Sequence, residues 1–187
     1  MAQRVTRPSK QQYYINITRQ VAARSNCLSA RFGSIIVRDD QIISTGYNGA
    51  PRKTRDCGEA GSCLRRDLGI PSGERFELCR TVHAEQNAII NAARAGVSLL
   101  GGDLYLYGEK IYDTDEPVPI DAYPCFICKK MIINAGLDSV VVMKSDGSIA
   151  SFRVDDWATQ WREHDMSEDI VRHSITYDKK GGTEPKG

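Results

Sequence analysis

Two short motifs constrain this chain more than any other feature of its sequence, because a single metal ion would have to bring them together. His83-Ala84-Glu85 lies near the start of one predicted helix, and Cys125 and Cys128 open another directly after Pro124. One histidine and two thiolates are three ligands for Zn²⁺, and they leave the fourth tetrahedral position to water. A fold that uses both motifs must therefore place two helix N-termini side by side at one edge of a sheet.

The residue types at these positions favour a catalytic metal over a structural one. Helix N-termini carry unpaired N–H groups and a positive end, which stabilise thiolates. Bound Zn²⁺ lowers the pKa of its water towards neutrality, and Glu85 can reach the open position without being a ligand and carry a proton. A closed zinc site, a redox Cys-x-x-Cys and two unrelated motifs are the alternatives. The joint occurrence of both motifs at helix starts argues against them.

Hydrophobic periodicity and turn residues predict alternating helices and strands. Ser9 can cap a first helix that continues to about Arg24, and a hairpin turns at Asp39-Asp40 between strands at 33–38 and 41–46. Further along, the pattern predicts helices at 81–95, 125–135 and 155–164 and strands at 103–107 and 139–143. The last two strands and the helix between them form a βαβ unit, which makes a parallel pair. We therefore expect an α/β fold, a three-layer α/β/α sandwich with a mixed central sheet.

The length of the chain, 187 residues, suits one domain with a buried core. We expect this single domain to span residues 9–178. It contains a long acidic loop at 108–123, which is a lid, a subunit contact or a passive surface loop. The segment 179–187 is expected to be a disordered tail.

Composition excludes several function classes. Lys and Arg total 25 against 24 Asp and Glu, so the net charge of +1 argues against a protein that coats nucleic acid or an anionic membrane. No apolar run approaches the ~20 residues needed to cross a bilayer, and the N-terminus lacks the apolar core of a signal peptide. We therefore expect a cytoplasmic protein, in which the six cysteines stay reduced.

The stretch from Cys27 to Asn134 resembles the deoxycytidylate (dCMP) deaminases of the zinc cytidine deaminase superfamily. His-x-Glu with Pro-Cys-x-x-Cys is the signature of zinc nucleobase deaminases. The branch is indicated by GYNGAP at 46–51 and HAEQNAI at 83–89, accompanied by GIPSGER at 69–75 and KMIINAG at 130–136. The resemblance implies a cytidine deaminase-like fold and zinc-dependent hydrolysis of dCMP to dUMP and ammonia. It also makes the loop at 108–123 an insertion, since the family usually has only a few residues there.

The resemblance also implies contacts with the substrate. Asn48 would hold the sugar hydroxyl, because its amide can both donate and accept, and the backbone N–H of Ala84 would meet the pyrimidine carbonyl. A 5′-phosphate needs a cation, for which Arg31 is the first candidate and Arg24 the second. Either arginine could equally be a solvated surface residue.

Regulation is a further implication of the resemblance. Similar enzymes are homohexamers that bind effectors between subunits, with dCTP and Mg²⁺ as activator and dTTP as inhibitor. The segment with Gly46 and Asn48 would contribute to the effector site. Arg94 would couple that site to the active site, although a cation near a helix C-terminus is favourable without any such role.

Four cysteines remain outside the catalytic motif: Cys27, Cys57, Cys63 and Cys79. They are either free buried thiols or the ligands of a second, structural Zn²⁺, which some similar enzymes carry in this region. Four thiolates on one metal would hold the long polar stretch at 52–80 in place.

Two other function classes stay open. A tRNA adenosine deaminase or single-strand cytosine deaminase would need a basic groove with stacking aromatic residues, and the near-neutral charge without basic clusters argues against it. A non-catalytic zinc scaffold would not need Glu85. We therefore expect a small-molecule nucleotide as substrate, with neither nucleic acid nor membrane as partner.

Overall fold

The computed structural model describes residues 7–71, 73–164 and 166. Its middle layer is a mixed sheet of six strands. They are β1 (Ala30–Arg38), β2 (Gln41–Tyr47), β3 (Asp103–Lys110), β4 (Val118–Pro119), β5 (Ser139–Met143) and β6 (Ile149–Arg153). The strands follow the order β2-β1-β3-β5-β6, and β4 pairs with the end of β3. The tail predicted at 179–187 lies outside the described residues.

Helices cover both faces of the sheet. The helices are α1 (Lys10–Ala22), α2 (Cys57–Ala60), α3 (Leu64–Asp67), α4 (Ala84–Ala95), α5 (Phe126–Asn134) and α6 (Val154–His164), with a 3₁₀ turn at Phe76–Leu78. One apolar cluster joins α1 to one face, and a larger one joins α4, α5 and α6 to the other. The predicted three-layer sandwich is therefore confirmed. In the described part of the chain, no helix has the length and apolarity needed to cross a membrane.

Local sequence signals correctly placed the first half of the fold. The hydroxyl of Ser9 accepts a hydrogen bond from the backbone N–H of Gln12 at 3.1 Å and caps α1. Asp39 and Asp40, between β1 and β2, have φ angles of 52° and 62°. Positive φ at both central residues is typical of the tight turn whose twist matches a hairpin. The predicted hairpin is thus present.

The predicted βαβ unit is also present. β3 and β5 pair in parallel, with Asp103 opposite Ser139 and Leu106 opposite Val142, and α5 lies between them in the chain. In a βαβ unit the helix begins near the carboxyl end of the first strand, here β3, and runs back antiparallel to it. The N-terminus of α5, with the two cysteines of the second motif, therefore lies at that edge.

The segment at 108–123 is less of a loop than predicted. β3 continues to Lys110 because β1 extends beside it, with Ala30 opposite Lys110. The chain then returns through β4, which pairs with Glu109 and Lys110. Asp121 accepts hydrogen bonds from the backbone N–H and hydroxyl of Ser145. The inserted segment is therefore held at both ends.

Two glycines let a helix lie unusually close to a strand, one on each face of the sheet. A Cβ added to Gly33 in β1 would lie 2.4 Å from the carbonyl oxygen of Thr18 in α1. A Cβ added to Gly46 in β2 would lie 2.3 Å from the backbone nitrogen of Ala88 and 2.4 Å from the carbonyl oxygen of Ala84 in α4. Both neighbours are helix backbone, which cannot move aside without shifting the helix.

The close contact at Gly46 predicts that adding one methyl group at this position destabilises the protein. Gly46→Ala should lower the free energy of unfolding by at least about 2 kcal/mol, because α4 must move away from β2. The matched control is Gly58→Ala in α2, where the nearest atom is the Oδ1 of Asp56 at 3.3 Å. The control should stay within about 0.5 kcal/mol of wild type in urea titrations. Equal effects of the two substitutions would contradict the contact.

Candidate metal centre and adjoining cavity

The structure brings together the three predicted metal ligands. The Nδ1 atom of His83 lies 3.4 Å from the Sγ atoms of both Cys125 and Cys128. His83 and Cys125 are the residues that directly precede α4 and α5, and Cys128 is fully buried in the first turn of α5. All three ligand atoms lie within 4.8 Å of one another, and no other group of this kind occurs among the described residues.

The spacing of the three atoms fits Zn²⁺. Zn–N bonds of ~2.05 Å and Zn–S bonds of ~2.3 Å at tetrahedral angles separate the nitrogen from each sulfur by about 3.6 Å. The distances of 3.4 Å agree with this value. One nitrogen and two sulfurs are also the donor set of zinc sites that keep an open position.

Each of the two thiols at the centre shifts the pKa of the other. The hydrogen bond with Cys128, together with the contact to His83, lowers the pKa of Cys125 to about 4 in spite of its burial. The same hydrogen bond, together with burial, raises the pKa of Cys128. A divalent cation between the sulfurs favours the thiolate form of both.

Glu85 lies beside the three ligands without joining them. It occupies the first turn of α4 and is 5% exposed. Burial raises the pKa of its carboxyl group above the ordinary value, and the neighbouring His83 opposes this only in part. A carboxyl group with a raised pKa can both accept and return a proton near neutral pH.

A cavity of about 290 Å³ opens from the metal ligands. Its volume is close to the lower limit of small-molecule sites, about 300 Å³. His83, Glu85 and Cys125 line it together with the aromatic rings of Phe76 and Tyr123. The edge of the Phe76 ring meets the His83 ring at a centroid distance of 5.0 Å and an angle of 88°. The metal centre therefore borders on a partly aromatic pocket.

Asn48 lines the same cavity and also has a structural task. Its Oδ1 accepts a hydrogen bond from the backbone N–H of Phe32 at 2.8 Å, and its Nδ2 donates to the carbonyl of Ala30 at 2.9 Å. The side chain thus continues the β1–β2 pairing beyond the end of β2. A carboxamide carries two N–H donors, so the second remains for a ligand. Ala84, also predicted to contact substrate, lines the cavity at the start of α4.

The structure places the other predicted residues elsewhere. Ala30 and Phe32 line the cavity, whereas Arg31 between them has its Nη1 3.7 Å from the Oε1 of Glu109 and lines neither cavity described here. Alternate residues of a strand face opposite ways, so Arg31 lies on the other face of the sheet. Arg94 is exposed on the last turn of α4 and lines neither cavity.

Arg24 lines a second cavity, of about 220 Å³, with two other cations among the described residues. Arg52 and Lys53 border it as well, and Asp56 is the one carboxylate among its lining residues in the described chain. The guanidinium of Arg52 donates to the Oδ1 of Asn91 in α4 at 2.8 Å. This cavity is therefore basic and in contact with the helix that begins with Ala84 and Glu85.

Sequence reasoning missed several residues that line the first cavity, among them a cation, Arg65 in α3. It is the sole lysine or arginine among the described residues that line this cavity. No periodic pattern marks the stretch at 52–80, which folds into the short helices α2 and α3 and the 3₁₀ turn. Its sequence therefore gave no sign of which charged side chain faces inward.

The remaining four cysteines lie near one another. Cys27, Cys57 and Cys63 are buried, and Cys79 is half-buried. Burial raises the pKa of Cys57, and the other three thiols add to that shift. No three of the four sulfurs lie within 4.8 Å of one another in the described structure, so this cluster is looser than the one at His83.

Comparison with known proteins agrees with the geometry. Residues 8–144 match the family model of the cytidine and deoxycytidylate deaminase zinc-binding region. Deoxycytidylate deaminase of Schizosaccharomyces pombe is 35% identical over 135 residues, covering 72% of this chain and 37% of that protein. The deoxycytidylate deaminase of Mycobacterium phage D29 is 31% identical over 145 residues, covering 75% of this chain and 98% of that protein. The chain thus spans less than two fifths of its fission-yeast relative but nearly all of the phage protein.

A solved structure that is similar in fold and sequence shows the same agreement. It is the dCMP deaminase of cyanophage S-TIM5 in complex with dCMP and dUMP. The two chains share 25% identity and a TM-score of 0.54, over 73% of this chain and 82% of the other.

The ligand set predicts which substitution removes the metal. Cys128→Ser should lose one equivalent of zinc per chain and lower the melting temperature, because a buried ligand is gone. Glu85→Gln is the matched control, since this buried neighbour is not a ligand, and it should keep the wild-type zinc content. Metal analysis of purified protein under non-chelating conditions measures both. Retention of full zinc by Cys128→Ser would contradict the assignment.

Proposed function

The chain belongs to the cytidine and deoxycytidylate deaminase family with this zinc-binding region, and on that premise we propose that it hydrolyses dCMP to dUMP and ammonia. The observation that carries the proposal is the meeting of a His-Cys-Cys ligand set and a buried glutamate in one cavity. Support for the nucleotide comes from the D29 deoxycytidylate deaminase, which this chain covers almost completely, and from the similar S-TIM5 structure, solved with dCMP and dUMP.

The protein's own residues divide the chemistry between them. His83, Cys125 and Cys128 would hold Zn²⁺, which supplies an activated water at neutral pH when bound. Glu85 accepts a proton from the attacking water on its carboxylate and delivers it to N3 of the pyrimidine as the C4–O bond forms. It then carries the remaining proton of that oxygen to the 4-amino group, so that the C4–N bond breaks, ammonia leaves and the oxygen becomes the carbonyl at C4. The raised pKa of Glu85 keeps the protonated form accessible for these transfers.

Two further groups orient the substrate in this proposal. The backbone N–H of Ala84, one of the unpaired donors at a helix N-terminus, meets the pyrimidine carbonyl. The free amide hydrogen of Asn48 donates to the sugar hydroxyl, while its other bonds to β1 fix its orientation. The aromatic rings of Phe76 and Tyr123 shield the base from water.

The proposal predicts a substrate order. Zinc-loaded protein should deaminate dCMP faster than CMP, deoxycytidine or a cytosine-containing oligonucleotide, as followed by ultraviolet absorbance. Glu85→Gln should reduce turnover of dCMP by about 1,000-fold, because the amide is nearly isosteric but cannot carry the proton. Activity of this variant within tenfold of wild type would contradict the role of Glu85. A preference for the oligonucleotide would instead favour a nucleic-acid deaminase.

We also propose that the second cavity takes a nucleoside triphosphate with Mg²⁺, that dCTP activates and dTTP inhibits, and that the protein works as a homohexamer. Arg24, Arg52 and Lys53 give this cavity the charge that a triphosphate requires. A ligand there would act on α4 through Arg52 and Asn91, and through the strand end that includes Gly46 and Asn48. For this regulation, dCTP must bind more tightly to an active arrangement of α4, and dTTP must bind more tightly to an inactive one.

Regulation of this kind predicts the behaviour of Arg94, which lies one turn beyond Asn91 at the C-terminal end of α4. Wild-type activity should rise cooperatively with dCTP and Mg²⁺ and fall with dTTP. Arg94→Glu should respond to neither triphosphate while it retains zinc, because the reversed charge uncouples the helix end from the effector. Hyperbolic wild-type kinetics that neither triphosphate changes would contradict the proposal.

Two finer assignments complete the proposed function. Cys27, Cys57, Cys63 and Cys79 would hold a structural Zn²⁺, supported by the electrostatic influence of the other three thiols on Cys57 and by the irregular stretch at 52–80, which contains three of the four. The metal analysis described above then finds two equivalents of zinc in wild type, and a single equivalent would contradict this assignment. The cytoplasm is the proposed location, supported by six cysteines that are all free thiols.

A further inference from the structure

Arg65 is held in a fixed position at the wall of the first cavity. Its Nη2 donates to the carbonyl of Pro71 at 2.8 Å, and its guanidinium carbon lies 5.0 Å from the centroid of the Phe76 ring. Phe76 in turn contacts the His83 ring. One aromatic ring therefore separates the cation from the metal ligands, and the stacked arrangement restricts its rotamers.

The guanidinium still has hydrogen-bonding capacity to offer. The Nε atom of Arg65 is buried and has no hydrogen-bond partner among the described residues. Glu77, whose carboxylate is near enough to feel the charge of Arg65, is hydrogen-bonded to Arg75 instead. A guanidinium carries five N–H donors, and the hydrogen bond to Pro71 uses one of them, so a side chain that lines the cavity keeps donors for an anionic ligand.

Charge is distributed unevenly along the cavity. The buried carboxyl of Glu85 and the thiol of Cys125 lie at the metal centre, whereas Arg65 lies across the ring of Phe76. A substrate that carries its reacting amine at one end and its negative charge at the other matches this polarity. A nucleoside monophosphate has that form, with the base at one end and the phosphate at the other.

We propose that Arg65 binds the 5′-phosphate and thereby selects nucleotides over nucleosides, an inference that rests on the proposed function. A planar guanidinium offers parallel N–H donors to phosphate oxygens. The earlier candidates are worse placed, since Arg31 pairs with Glu109 outside the cavity and Arg24 lines the other one. Arg65 is a specificity residue, because it contacts the non-reacting end of the substrate.

The neighbouring Arg66 is a matched control. It belongs to the same helix, α3, and also stacks on an aromatic ring, with its guanidinium carbon 3.8 Å from the centroid of Tyr112 in the inserted segment. It does not line the cavity. Arg65→Met and Arg66→Met therefore remove the same charge from the same helix, but only one of them acts inside the cavity.

The test compares dCMP with deoxycytidine on zinc-loaded protein. Arg65→Met should lower kcat/KM for dCMP by about 30-fold, the worth of hydrogen bonds to a charged group, and leave deoxycytidine within about threefold of wild type. Arg65→Lys should recover part of the loss, because it keeps the charge without the fork of donors. Arg66→Met should leave the ratio of the two substrates unchanged. Zinc content and near-ultraviolet circular dichroism confirm that each variant is folded.

Several results would overturn the assignment. Equal losses on dCMP and deoxycytidine with Arg65→Met would show that Arg65 only supports the wall of the cavity, and an unchanged ratio would show no contact with phosphate. Calorimetric binding of dUMP and deoxyuridine, which need no turnover, separates this inference from the proposed function. If wild type deaminates nothing yet prefers dUMP, and Arg65→Met abolishes that preference, the deamination proposal fails and the phosphate contact stands. If wild type neither deaminates dCMP nor binds either ligand, both fail.

Discussion

The close contact between α4 and β2 is the constraint on which the site depends. At Gly46 the helix backbone lies where any side chain would be, and polar side chains hold it there. The hydroxyl of Ser44 donates to the carbonyl of Ala88 at 2.6 Å, and the amides of Asn87 and Asn91 donate to carbonyls of β2 at 2.8 Å. Since α4 begins directly after His83, these contacts also fix a metal ligand and the glutamate beside it.

The sequence predicted which metal-binding side chains meet better than it predicted the residues around them. His83 and Cys125 could be predicted as partners because both lie at the starts of predicted helices, and local signals such as Ser9 and Asp39-Asp40 marked the first elements correctly. Where prediction differed from structure, long-range pairing was the cause. The helix predicted from Thr81 begins at Ala84, because Val82 exchanges backbone hydrogen bonds with Gly49 at 3.2 and 2.8 Å. Strand β6 was missed because its pattern depends on β5 beside it.

The arginines illustrate the same limit for binding residues. Whether Arg31 or its neighbours face the cavity is decided by the pairing of β1 with β3, where Arg31 lies opposite Glu109. That register cannot be read from β1 alone. Arg65 lies in a stretch without periodicity. The orientation of its side chain follows from contacts with Phe76 and Pro71, and a local sequence pattern does not reveal such contacts either.

The cation–π contact between Arg66 and Tyr112 joins α3 to the inserted segment, and both segments contribute to the first cavity, through Arg65 and Ile120. Neither segment supplies a metal ligand or belongs to α4. Part of the wall of the first cavity thus comes from segments that are separate, along the chain, from the metal ligands and from α4. Substitutions in these two segments therefore alter the wall of the cavity while the metal ligands and the contacts that hold α4 stay in place.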